Sequence, residues 1–368
     1  MIPIARRMIW REKARFFITA GGLGLTAMLM MFLLGVYEGV KRGSTGYVRE
    51  CPAGIWACDN NSTNLLRSSS FMPAALESEF YKTEGVEDAA AILRVLATTR
   101  IKGKPVTLFL FGFDPKKPMA RPARILQGNP DIGPGELIVD RAFAAKFKLA
   151  LGDPVEIQGR SFRVAAVGEG MNAVVTQFVF TTLEDAQKLL GFPGVVSFFL
   201  LSLKPGAPME AVLRDLKKSR PALSFFTKDE FIRNNLDEME TGVLPIFWTI
   251  AVLGAITGAA VIALMLYGSV LEKREDYALL KAIGARPRFL LTLILKQSLI
   301  VSVSGFLIGL ALEAALSPAL RNLVPSLSVV MTVRSILAVF AAVLLIGGLG
   351  SAAPVRKLSR IFPMEVFR

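Results

Sequence analysis

The 368-residue chain has no histidine and only two cysteines. Without imidazole it can build no Ser-His or Cys-His nucleophile pair, no His-Glu-x-x-His zinc helix and no histidine-ligated haem. It also lacks the Gly-x-x-x-x-Gly-Lys-Ser/Thr loop that cradles nucleotide phosphates. Its Gly103-Lys104 pair is followed by Pro105, so no hydroxyl stands ready to hold Mg²⁺. No Gly-x-Ser-x-Gly elbow occurs. There is no repeat of fixed period and no low-complexity tract. Hydrolysis of ATP by this sequence alone is not expected, nor is a metal or cofactor site within it.

What is present is apolar. Hydrophobic residues make up 52% of the chain and charged residues 20%, with a mean hydropathy of +0.49. That is too apolar for an ordinary soluble domain and too charged for a chain lying wholly in lipid, so spans plus a water-facing domain are expected. The net charge of +13 is unevenly placed: residues 1–15 carry +4, residues 269–290 carry +2 and residues 355–368 carry +3. All three segments flank apolar runs. This is the positive-inside pattern and argues for anionic lipid headgroups rather than nucleic acid as the charge partner.

The apolar runs set the layout. A basic amphipathic N-terminus (1–15) precedes a first span at 16–37, which is too long for a signal peptide and is followed by no small-residue cleavage site. Further spans are read at 243–267, 290–312 and 335–353. They are joined by a cytoplasmic loop (268–289) and a short outer loop (313–334), and followed by a cytoplasmic tail (354–368). Residues 38–242 form a large extracytoplasmic domain with a stalk. Both termini then face the cytoplasm of a bacterial inner membrane. Lys296 is placed near one end of the third span and Glu313 at its outer end. No charge is expected at mid-span, which argues against an ion or proton relay. Cys51 and Cys58 fall on the oxidising side, as a local disulfide or as two free thiols.

The inserted domain reads as α+β. Residues 89–100 and 105–112 alternate like a hairpin around Lys102-Gly103-Lys104, and 155–158 with 161–167 form another around Gly159. Strands are expected at 136–139, 178–180 and 195–203, and helices at 141–148 and 209–217. Thr182 and Thr227, each followed three residues later by an acid, cap two more helices, the second leading toward the second span. Residues 60–70 and 114–134 are polar loops rich in Pro or Gly.

One stretch carries more than composition. In residues 271–289, Tyr277, Leu280, Ile283 and Gly284 share a face at helical spacing, while Glu275, Lys281 and Arg286 lie off it, and Gly284 and Pro287 give a stop. Glu275-x-x-x-Leu279-Leu280-Lys281-Ala282-Ile283-Gly284-Ala285 resembles the loop between the second and third spans of MacB/FtsX-type ABC transporter permeases. Ile4-Ala5-Arg6-Arg7 through Phe16 resembles the entry to that family's first span, and Pro354-x-Arg356 with Pro363-x-Glu365 resembles its tail. The Phe111-Gly112-Phe113-Asp114-Pro115 run looks most like the DevC-type exporters, with haem-exporter permeases a near neighbour. The resemblance implies four helices with a large domain between the first two, a separate ATPase subunit that binds ATP and Mg²⁺, a homodimer and a periplasmic membrane-fusion adaptor. It makes Glu275, Tyr277, Leu280, Lys281, Ile283 and Gly284 the segment that engages the ATPase.

Gly35/Gly39, Gly254/Gly258 and Gly305/Gly309 are spaced for close helix packing, within one protomer or between two. Met28, Met30, Met31 and Met265 offer an adaptable apolar surface or ordinary packing. The expected function is export or extraction of a lipid-like or amphipathic cargo. The alternatives are a signal transmitter acting on an outer-face partner, or efflux of haem or a hydrophobic toxin. Haem would need Met, Cys, Tyr or a carboxylate such as Glu38 in place of imidazole.

Overall fold

Residues 86–113 hold two interleaved sets of apolar side chains, and a sheet sorts them onto its two faces. In the computed structural model, which describes residues 13–67, 70–171, 177–242, 244–272, 287–323 and 329–351, these residues form strands β3 (Val86–Ile101) and β4 (Lys104–Phe113). Phe111 and Phe113 bury on one face with Ile92, and Leu108 and Leu110 on the other with Leu93 and Val95. The period of two is that of a strand, and the burial on both sides is that of a sheet covered on both faces. Lys102 and Gly103 turn the hairpin, both at positive φ (49° and 78°), the twist that matches paired strands. Gln158 and Gly159 repeat it (49° and 79°) between β7 (Pro154–Ile157) and β8 (Arg160–Gly168).

The chain divides into two units, one built on the insert Gly39–Leu244 and one on the long apolar helices. The insert holds a 10-stranded sheet. Besides those above, its strands are β1 (Ile55–Asp59), β5 (Ile125–Gly128), β6 (Glu136–Asp140), β9 (Gln177–Thr182), β11 (Phe198–Leu203) and β12 (Leu223–Thr227). The order is β12-β1-β11-β3-β4-β9-β6-β8-β5, with β7 beside β8. The pairs β4–β9 and β6–β8 are parallel, the other pairs antiparallel. β2 (Met72–Pro73) pairs with β10 (Val195–Val196) apart from it.

Helix α1 (Lys13–Glu50) enters the insert and α6 (Lys228–Gly242) ends it, with α2 (Glu77–Phe80), α3 (Arg141–Phe147), α4 (Leu183–Leu190) and α5 (Met209–Ser219) between. The two expected caps form. Asp185 N–H donates to Thr182 Oγ1 at 3.2 Å. Thr227 and Glu230 exchange a capping box, at 2.8 and 3.3 Å, which satisfies amides that a helix start leaves open.

Among the described residues the other unit has four helices long and apolar enough to cross a membrane, which makes the chain a multi-pass membrane protein with a large α+β domain between the first and second helices. After α1 come α7 (Leu244–Glu272), α8 (Pro287–Leu323) and α9 (Val333–Gly350). The third runs past its expected end. Residues 313–323, read above as part of a loop, continue α8 through Pro318. A proline removes one backbone bond, and a helix otherwise rich in Ala and Leu absorbs that loss. Glu313 therefore lies inside a helix, within the apolar stretch Thr292–Leu320, and not in a loop.

Candidate functional site

The six residues expected to engage an ATPase, Glu275, Tyr277, Leu280, Lys281, Ile283 and Gly284, lie outside the described residues, as do the basic tail and most of the N-terminal basic segment. The described functional geometry is the interior of the four-helix unit. Its seams are made by glycine. A Cβ added at Gly309 would lie 2.6 Å from the Gly24 carbonyl oxygen and 2.8 Å from Ala27 Cβ. One at Gly305 would lie 2.9 Å from Leu23 Cβ, so α1 and α8 meet backbone to backbone. Gly258 faces Thr26, with 3.1 Å to its methyl carbon, and Gly35 faces Val329 at 2.7 Å. Gly254 has nothing within 4 Å, and Gly39 is buried. Sequence spacing did not single out Gly24, Gly347 or Gly350, which make equally close approaches to Ile308, Ser302 and Ile262.

The interior is apolar along most of its length, through Met30, Met31, Ile294, Val301, Val343 and Ile346. Phe306 and Phe340 meet edge to face at 4.9 Å. Met28 is half-buried, and the Met265 side chain is outside the described residues. One face of α8 is different. Ser298 Oγ donates to Gly347 O at 2.7 Å, Ser302 Oγ is buried without a partner, and Glu313 is 1% exposed with both carboxylate oxygens unpartnered. Sequence reasoning missed Glu313 as an interior group. Its spacing of four and eight residues from Gly309 and Gly305, on the face that meets α1, was the available signal.

In the inserted domain several buried polar groups are satisfied, while Trp56 Nε1 is buried without a hydrogen-bond partner. Asp140 Oδ1 accepts from Ala142 N–H at 2.8 Å and Oδ2 from Met171 N–H at 3.0 Å. Burial raises its carboxyl above the usual range despite those two bonds. Lys117 Nζ donates to Asp88 Oδ1 at 2.7 Å and to Tyr81 OH at 2.6 Å. Arg94, packed over the Phe109 ring at 4.8 Å, is pushed down to about 10 by burial. A cleft of about 420 Å³ beside α3 is lined by Leu126, Arg141, Lys148 and Leu149. Among the described residues no cluster of His, Cys, Asp and Glu could hold a metal ion.

Of the two readings, a local disulfide or a pair of free thiols, the structure has the second, with both thiols buried. Cys51 Sγ donates to Met119 O at 3.4 Å and Cys58 Sγ to Ser62 O at 3.0 Å. Cys58 sits in β1, which is held between β11 and β12, while Cys51 follows the end of α1. Strand pairing fixes one thiol and the helix end fixes the other, each toward its own carbonyl. Burial pushes Cys51 up to about 11 and Cys58 up to about 12.

Residues 16–219 match the family model described as MacB-like periplasmic core domain, and residues 248–363 the one described as FtsX-like permease C-terminal. An uncharacterised ABC transporter permease of Mycobacterium tuberculosis is 25% identical over 377 residues, covering 98% of this chain and 97% of its own length. An uncharacterised ABC transporter permease of Methanocaldococcus jannaschii is 25% identical over 60% of this chain and 58% of its own length. The macrolide export ATP-binding/permease protein MacB of Agrobacterium fabrum is 25% identical over 62% of this chain and only 36% of its own length. The periplasmic region of MacB from Actinobacillus actinomycetemcomitans superposes with a TM-score of 0.40 at 11% identity, over 52% of this chain and 95% of that one.

Proposed function

The chain belongs to the MacB/FtsX-type ABC transporter permeases, and on that footing we propose that it is the permease of an ATP-driven exporter. It couples ATP hydrolysis, carried out by an ABC ATPase outside these residues, to the export or extraction of an amphipathic or lipid-like cargo. The observation that carries this reading is the pairing of a four-helix membrane unit with a large domain inserted between its first two helices. Four helices enclose little volume, so the cargo path has to involve a second copy and the inserted domains. The homodimer, the adaptor, the inner-membrane location and the cytoplasmic termini belong to the same proposal. The last two are supported by the basic charge of residues 1–15, 269–290 and 355–368.

In this mechanism the segment around Tyr277 and Leu280 seats its apolar face in a groove of the ATPase. Glu275 and Lys281 fix its register by rim charges that orient more than they bind. The glycine seams bring α1 and α8 into backbone contact at Gly305 and Gly309, so that in this mechanism a displacement of one is passed to the other.

The test is ATPase activity of the chain reconstituted with its ATPase in lipid. Stimulation by amphipathic compounds supports export. Absence of stimulation by any of them, together with activation of an outer-face hydrolase, would replace export by signal transmission.

A further inference from the structure

Helix α8 turns one line of side chains inward at positions 298, 302, 306, 309 and 313, the repeat of a single helix face. Two neighbours fix what stands opposite its last member. Along α1 the pairs Gly305–Leu23 and Gly309–Ala27 keep one parallel offset, and the same offset one turn further places Met31 level with Glu313. Along α9 the pairs Ser298–Gly347 and Phe306–Phe340 run antiparallel, and their offset brings residues 332–333, the start of α9, to that level. Met31 is buried. Thr332 Oγ1 at that level is engaged with Ser335, accepting from its N–H at 3.1 Å and paired with its Oγ at 2.7 Å. Arg334 is exposed, and Lys296 lies about 25 Å down the same helix at 1.5 Å per residue.

Glu313 is thus a carboxyl 1% exposed, with no donor to either oxygen, level with Met31 by the α1 offset and two turns, about 10 Å, from the Phe306–Phe340 pair along α8. Asp140 shows how this chain treats a structural carboxyl, by giving each oxygen a backbone amide. Glu313 has no such provision. An ionisable side chain inside a membrane unit is costly unless an opposite charge meets it. A carboxylate level with a methionine, with aromatic rings two turns further along the same face, suits a soft, weakly hydrated cation carrying a long apolar body.

We propose that Glu313 is the anchoring point, inside the membrane-spanning unit, for the cationic group of an amphipathic cargo, an organic ammonium or phosphonium. This rests on the export reading and narrows it to cargo that carries positive charge. The carboxylate supplies the counter-charge, and Met31 with the Phe306–Phe340 pair supplies contact for the apolar body.

The experiment uses the full chain with its ATPase in nanodiscs and three probes of one shape: tetraphenylphosphonium, tetraphenylsilane and tetraphenylborate, cationic, neutral and anionic. The cation should bind and stimulate ATPase best, and E313Q should weaken its binding by about tenfold or more while leaving the neutral probe unchanged. E313D, which keeps the charge, should retain most of the affinity and guards against a folding defect in E313Q. In the wild-type chain, dicyclohexylcarbodiimide should label Glu313, and tetraphenylphosphonium should block the labelling. Equal binding of the cation by wild type and E313Q, or labelling indifferent to it, overturns the inference. If the neutral probe stimulates as well as the cation, this inference falls and export stands. If no amphipathic compound of any charge stimulates, export falls with it.

Discussion

Gly309 of α8 stands against Gly24 of α1 so closely that a Cβ on the first would lie 2.6 Å from the carbonyl oxygen of the second. No side chain separates the two helices there. G309A should therefore force the helices apart and cost about 1–3 kcal/mol, the range of overpacked cores. G254A, placed where nothing lies within 4 Å, should be neutral. Thermal unfolding of the two variants in the same detergent checks the contrast, and equal melting temperatures would refute it.

Cys51 and Cys58 should behave as inert thiols. With values pushed up to about 11 and about 12 by burial, neither is a thiolate at neutral pH, and the thiolate is the reactive form. The folded chain should resist maleimide under conditions that label both cysteines in the unfolded chain. Reductant should leave its melting temperature unchanged. A drop on reduction would reveal a disulfide.

The Asp140 carboxyl is raised in the folded domain by burial, so the folded state holds its proton to higher pH than the unfolded chain. Stability then falls as pH rises from the unfolded carboxylate value, about 4, through the raised folded value, and stays at the lower level above it. D140N should remove this slope. D140A should lose the cap of α3 and the Met171 tether, at about 1–3 kcal/mol. Hydrogen exchange of the α3 amides in the full chain, followed against pH, measures both.

E275A and G284P should uncouple the transporter. Cargo-stimulated ATPase activity should fall several-fold in each, while circular dichroism of the inserted domain stays as in the wild type. Full stimulation in both variants would remove residues 271–289 from the coupling role.

The two hairpins were legible because their turns announce themselves. A polar residue followed by Gly, between alternating strands, has few other solutions at positive φ. The capped helices at Thr182 and Thr227 were equally local signals. β1 was hidden by its burial. Ile55-Trp56-Ala57-Cys58 is buried throughout, so it shows no alternation, and its two nearby cysteines suggested a crosslinked loop instead. β5 hides in a Pro- and Gly-rich stretch, and the parallel β4–β9 pair joins segments far apart in sequence, which no local pattern encodes. Residues 313–323 were read as loop because Glu313 follows a long apolar run, and a carboxylate there reads as the outer end of a span. The helix itself goes on past it to Leu323.

Trp56 touches both ends of the insert. Tyr47, near the end of the entering helix, meets its ring edge-on at 6.0 Å, and Phe231, at the start of the departing one, stacks on it at 4.7 Å. A segment whose two ends converge on one indole needs no crosslink to stay closed when cut free. Excised at Gly39 and Gly242, it should remain a self-standing, water-soluble fold, and new termini opened at an exposed turn such as Lys102-Gly103 should leave that fold intact.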